Sequence, residues 1–141
     1  MTAAANNLPG NMSQQVKGNL TLADAGNIAD LFTSLKGAGT QDAVTASTTQ
    51  TQAGGKAITA AMTNVSSANA NDAVTFPQAL PGRYLFLVNS SGNTINAFPA
   101  VGDALNAAGA NNSVSIATAT TSVYVCILKG QWWGGAITNE S

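Results

Sequence analysis

The stretches Tyr84-Leu85-Phe86-Leu87-Val88 and Val123-Tyr124-Val125-Cys126-Ile127-Leu128 are apolar or aromatic at every position. Successive side chains of a strand point to opposite faces, so each run presents apolar groups on two sides at once. Tyr84, Phe86 and Val88 share one face, while Leu85 and Leu87 occupy the other. A strand of this kind is either central and covered twice, or lies at a seam between subunits. Few other features of the chain limit its fold so tightly.

The surrounding sequence has the same character. From about residue 43, Thr, Val, Ile and aromatic residues rise, and short runs alternate with turn residues, the pattern of an all-β domain. Ile58, Ala60 and Met62 alternate with Thr59, Ala61 and Thr63 after a Gly54-Gly55 turn, and Val74-Thr75-Phe76 is a short strand closed by Pro77. Leu80-Pro81-Gly82 turns the chain into Arg83–Asn89, and Ser90-Ser91-Gly92-Asn93 is a hairpin signal between apolar runs. Ile95, Ala97 and Pro99 alternate with Asn96 and Phe98; Val114 and Ile116 alternate with Ser113 and Ser115; Gln131-Trp132-Trp133 forms a last short strand. Seven or eight strands in about 100 residues predict a mainly β fold, an antiparallel β-sandwich of jelly-roll type or a small barrel.

Upstream, residues 1–19 are small and polar with a Pro9-Gly10 turn, and read as an extended N-terminal arm. In residues 20–42, Ile28, Leu31, Phe32 and Leu35 fall at i, i+3, i+4 and i+7, one face of a short helix ended by Lys36-Gly37. That stripe must pack on a core or on another subunit, because so short a helix is unstable alone. The expected division is therefore arm 1–19, helix and linker 20–42, and β domain 43–141.

Composition narrows the chemistry. Charged residues are 8% of the chain, against about 25% in ordinary proteins. Lys17, Lys36, Lys56, Arg83 and Lys129 form no basic run, which weighs against nucleic-acid binding. No His is present, which removes the commonest neutral-pH base and metal ligand. Cys126 is the sole cysteine and reads as a small core residue rather than a nucleophile. Gly54-Gly55-Lys56 lacks the flanking residues of a phosphate loop, and the five Asp residues have no calcium-loop spacing. Asp72 and Asp103 lie beside turn-like sequence, where Asp bonds local backbone. The expectation is a protein that is not an enzyme, with no catalytic, cofactor or metal site. No apolar run approaches a membrane span and the N-terminus has no signal-peptide pattern, so synthesis in a cytoplasm without export by that route is expected.

Trp132-Trp133 is the strongest candidate for binding. Alternation lets at most one of them share the core, leaving the other for a surface, a ligand or a subunit contact. The candidate interface residues are thus Ile28, Leu31, Phe32, Leu35, Tyr84, Phe86, Trp132 and Trp133.

Taken in order, residues 56–133 carry a distinctive succession: Pro81-Gly82-Arg83-Tyr84 into an apolar strand, then Ser91-Gly92-Asn93. Next come Ile95–Ala100, Gly102-Asp103-Ala104-Leu105-Asn106, Val114–Ala117, Val123–Leu128 and finally Gln131-Trp132. This resembles a β-rich module of tailed-bacteriophage virion proteins, found in capsid decoration (cement) proteins and in head or tail fibres. The resemblance covers half to two-thirds of the chain and does not extend to the first 40 residues. It implies a structural virion subunit made in a bacterial host. Such a subunit assembles as a homotrimer on the major capsid protein, with the arm and helix tying it to its neighbours, and has no catalytic residues. The alternative it leaves open is a fibre or receptor-binding module that recognises host glycans, with Tyr84, Trp132 and Trp133 as platform.

Overall fold

The computed structural model describes residues 39–137, and they are mainly β, with no helix among them. The strands are β1 (Thr40–Thr45), β2 (Lys56–Ala57), β3 (Met62–Ser67), β4 (Ala73–Thr75), β5 (Tyr84–Asn89), β6 (Ile95–Phe98), β7 (Ala104–Leu105), β8 (Val114–Ile116), β9 (Thr120–Leu128) and β10 (Gln131–Ala136). They form a six-stranded sheet ordered β1-β3-β5-β9-β10-β7 and a four-stranded sheet ordered β2-β4-β6-β8. The expected arm, the expected 20–36 helix and with it Ile28, Leu31, Phe32 and Leu35 lie outside the described residues.

The expected antiparallel sandwich or barrel is corrected here, because both sheets are mixed. Up to β6 the chain alternates between the sheets, and each strand lies parallel to the one two places earlier: β1, β3 and β5 in one sheet, β2, β4 and β6 in the other. This is a β-solenoid. Thr40 stands beside Met62 and Met62 beside Phe86, so one circuit takes about 22 to 24 residues, within the period range of solenoids. After three circuits the direction reverses: β8 runs antiparallel to β6, β9 to β5 and β10 to β9. Parallel strands ordinarily need long crossovers, but a strand in the opposite sheet serves as the crossover here.

Two local readings change with the topology. Ser90–Asn93 is a corner rather than a hairpin turn, since β5 and β6 belong to different sheets. The alternation through Ile58 also slips at the corner between sheets, where Ala60 and Ala61 are both buried. Thr63 and Val65 therefore face inward, and Met62 faces out. Two small side chains in succession let the chain bend there without opening a void.

The core lies between the sheets. Val65, Leu85, Leu87, Leu105, Tyr124, Cys126 and Trp132 come from the larger sheet, and Val74, Ile95, Ala97 and Ile116 from the smaller one. Phe76, just beyond β4, stands edge-on to both Tyr124 (centroids 4.9 Å apart, 78°) and Trp132 (6.0 Å, 89°). Such edge-to-face pairs add roughly 0.5–1.5 kcal/mol each beyond the area they bury. Pro81-Gly82 makes the expected turn: Gly82 has φ 89° and the Arg83 amide donates to the Leu80 carbonyl at 3.1 Å.

The corners are held by buried polar groups. Asn89, fully buried at the end of β5, donates from Nδ2 to the carbonyls of Asn93 (2.9 Å), Ile116 (3.1 Å) and Ala117 (3.0 Å). Its Oδ1 accepts from the Ser91 hydroxyl at 2.6 Å. Asp103 accepts from the Ala79 amide at 2.6 Å, and Asp72 from the Asn69 amide at 2.7 Å. Among the described residues, no buried side-chain polar atom is without a partner.

Candidate assembly surface

β5 and β9, the two strands apolar on both faces, are neighbours in the middle of the larger sheet. Their inner faces enter the core and their outer faces join into one apolar surface. Register places Met62, Phe86 and Val123 in one row across the sheet, and Tyr84, Val125 and Trp133 in the next. Ile127 follows on the same face of β9 at the point where the β9–β10 pairing slips, and is 78% exposed. The extra residue of that bulge sends its side chain outward while the pairing resumes beyond it. Tyr84 packs edge-on against Phe86, centroids 5.9 Å apart at 79°.

A polar ladder bounds this surface toward β1. Asn64 donates to the Asp42 carboxylate at 2.9 Å, and the Ser90 hydroxyl donates to Asn64 Oδ1 at 2.6 Å. The Asn64 amide, with the Ala43 N–H, holds the Asp42 carboxyl below its ordinary value. Arg83 and Lys129 stand at the opposite end of the strands, and the Arg83 guanidinium donates to the Gln78 carbonyl at 2.9 Å.

The candidate residues divide clearly. Tyr84, Phe86 and Trp133 come together on this face. Trp132 does not: it is 1% exposed, and its indole Nε1–H donates to the Pro77 carbonyl at 3.2 Å. Its place among the interface and platform residues is corrected to the core, because alternation turned it inward and Trp133 outward. Met62 and Ile127 were not singled out as surface groups. The slip at Ala60-Ala61 and the bulge that expose them depend on pairings that one-dimensional periodicity does not carry.

The Cys126 thiol is buried and its ionisation is pushed up, chiefly by burial, with Asp103 adding to the shift while the Gln131 backbone and Arg83 oppose it. A thiol held protonated in this way is a poor nucleophile. Asp72 is buried on the backbone of its own loop, as expected, whereas Asp103 reaches across to the Ala79 amide in the β4–β5 connection, so the local backbone bonding expected of it is corrected to a long-range one. Among the described residues, no three His, Cys, Asp or Glu side chains gather as a metal site would require, and no helix is long and apolar enough to cross a membrane.

No protein-family model, curated protein or solved structure matches the chain.

Proposed function

We propose that the chain is a structural virion protein of a tailed bacteriophage. In this reading it is a decoration or cement subunit that stabilises the head by packing, as a homotrimer, against its own copies and the major capsid protein. One observation carries the assembly half of this reading: residues 39–137 present only four charged side chains to solvent, Asp42, Lys56, Arg83 and Lys129. The other two, Asp72 and Asp103, are turned inward onto backbone amides. Typical soluble domains are about 25% charged residues. A surface this poor in charge, by contrast, packs against neighbours without burying unpaired charge. Each contact would then add mass-action stability to the shell. The phage setting rests on the succession Pro81–Trp132 described above.

The glycan-receptor alternative now rests on Tyr84 and Trp133 alone, since Trp132 is in the core. Tyr84 is packed edge-on against Phe86 at 79°, so these two rings do not share one stacking plane.

The test is composition and imaging of purified particles from a host producing this protein. The expected result is stoichiometric chain in the virion, with density at capsid threefold or pseudo-threefold points. Particles that lack the chain, or carry it only at the tail tip, would refute the decoration role.

A further inference from the structure

We infer that the outer face of the six-stranded sheet, centred on the row Tyr84–Val125–Trp133, is where a second copy of this chain docks. The inference deepens the assembly reading and rests on it for its setting.

Three observations point to a second copy. The first is extent. Met62, Tyr84, Phe86, Val125, Ile127 and Trp133 form a continuous surface whose exposed members range from 40% for Tyr84 and Val125 to 78% for Ile127. Those fractions correspond to roughly 600 Å² of accessible area before neighbouring residues are counted. That is the upper end for the largest patch on a lone protein, and most of the 800 Å² or so that each partner of a stable complex contributes.

The second is anatomy. No charged side chain lies within the patch; Asp42 bounds it on one side and Arg83 and Lys129 on the other. An aromatic and aliphatic centre with a polar rim is the layout of an interface whose core is desolvated.

The third is likeness. An uncharged apolar sheet face is matched best by the same face of other copies gathered round a symmetry axis, and this chain offers one only here among its described residues. The outward positions of the smaller sheet carry Thr75, Asn96, Phe98 and Ser115, a short and mostly polar set.

The experiment is the mass of the full chain in solution, with variants that place a charge or remove a ring on the face. Val125→Lys and Trp133→Ser alter the patch without touching the core, and Ser115→Lys on the other sheet is the control. Circular dichroism and thermal melting verify that each remains folded. The expected wild-type mass at about 100 µM protomer is a multiple of 14.1 kDa. Both face variants should weaken association by at least about 30-fold, the effect of losing one hot-spot residue, while the control leaves it unchanged. A wild-type multimer indifferent to both face variants would overturn this inference and leave the assembly reading standing. A strictly monomeric wild type overturns it as well, while the assembly reading is then decided by the particle composition. Loss of sugar binding by Trp133→Ser with no change in mass would assign the face to a glycan instead.

Discussion

Replacing Asn89 tests whether the solenoid corner is held by hydrogen bonds or by packing. The side chain is fully buried, and its two amide hydrogens serve three carbonyls, those of Asn93, Ile116 and Ala117. Asn89→Ala removes all three contacts and the acceptor for the Ser91 hydroxyl. Ser91 keeps partners, since its amide also donates to the Val65 carbonyl and its hydroxyl to that of Asn93. The net loss is then about two hydrogen bonds, near 1 kcal/mol each, plus roughly 1 kcal/mol for a carbonyl left buried without a donor, or about 3 kcal/mol in all. Asn89→Asp has nearly the same shape but sets a carboxylate against three carbonyl oxygens, so at pH 7 it should lose more than Asn89→Ala. Below the carboxyl range the acid regains one O–H donor and part of the loss should return. Urea unfolding of the full chain, followed by tryptophan fluorescence at one fixed protomer concentration, measures both. A loss under about 1 kcal/mol for Asn89→Ala, or an Asn89→Asp as stable as wild type at pH 7, would refute the hydrogen-bonding account.

Adjacent tryptophans should respond unequally: Trp132→Ala, at the centre of the core, should lose about 3–5 kcal/mol in the same unfolding assay, and Trp133→Ala less than about 1 kcal/mol when the assay is run dilute enough for protomers to be separate. Gly134→Ala would press a Cβ into the Val123 carbonyl oxygen on the facing strand, and should lower stability by about 2–4 kcal/mol, read from the urea midpoint. Ala119 adopts φ 56° in the turn before β9, so Ala119→Gly should be neutral or stabilising by up to about 1 kcal/mol in thermal melts. Burial raises the ionisation of Cys126 and also that of Tyr124, where the Ser122 hydroxyl offsets part of the shift. The unfolded chain then loses those protons first, so their contribution is complete below the ordinary thiol value of 9.0 and declines as pH rises beyond it. Denaturation midpoints from pH 7 to the alkaline side should fall, and Cys126→Ala should flatten the earlier part of the decline.

Side-chain direction was legible in the sequence because strand alternation is a local property. The inward Leu85 and Leu87, the outward Tyr84 and Phe86, the Ile95-Ala97-Pro99 row and the division of the tryptophan pair all follow it. Strand partnership was not legible. β3 and β4 are separated by a few residues, as a hairpin would be, yet they belong to different sheets, and each pairs with a strand a full circuit away. The circuits are alike in backbone path but not in residue identity: Thr63 stands beside Leu87, and Val65 beside Asn89. No repeat is therefore visible in the sequence that would announce the solenoid. The burial of Asn89, Asp72 and Asp103 escaped for a related reason. A turn-forming polar residue looks the same whether it faces solvent or anchors a corner, and only the strands packed around it decide.

The same topology limits how copies of this chain can meet. A β protein associates through an edge, adding strands, or through a face, packing side chains. Every edge among the described residues is poorly suited to the first. β2 and β7 have two residues each and β8 has three. β1 is longer, but its register shifts between Gln41 and Val44 and again between Val44 and Thr45, and Ala43 stands at φ 54°. Asp42 sits in that irregular stretch with its carboxylate already engaged by Asn64 and the Ala43 amide. A bulged edge bearing a charge does not present the row of free donors and acceptors that another strand could follow. Edge addition between unlike edges would be head-to-tail and could repeat without end, whereas packing through one face shared by all copies can close into a defined number of them. With the edges blunted and the apolar groups gathered on one face, finite assembly through side chains is the association this fold favours.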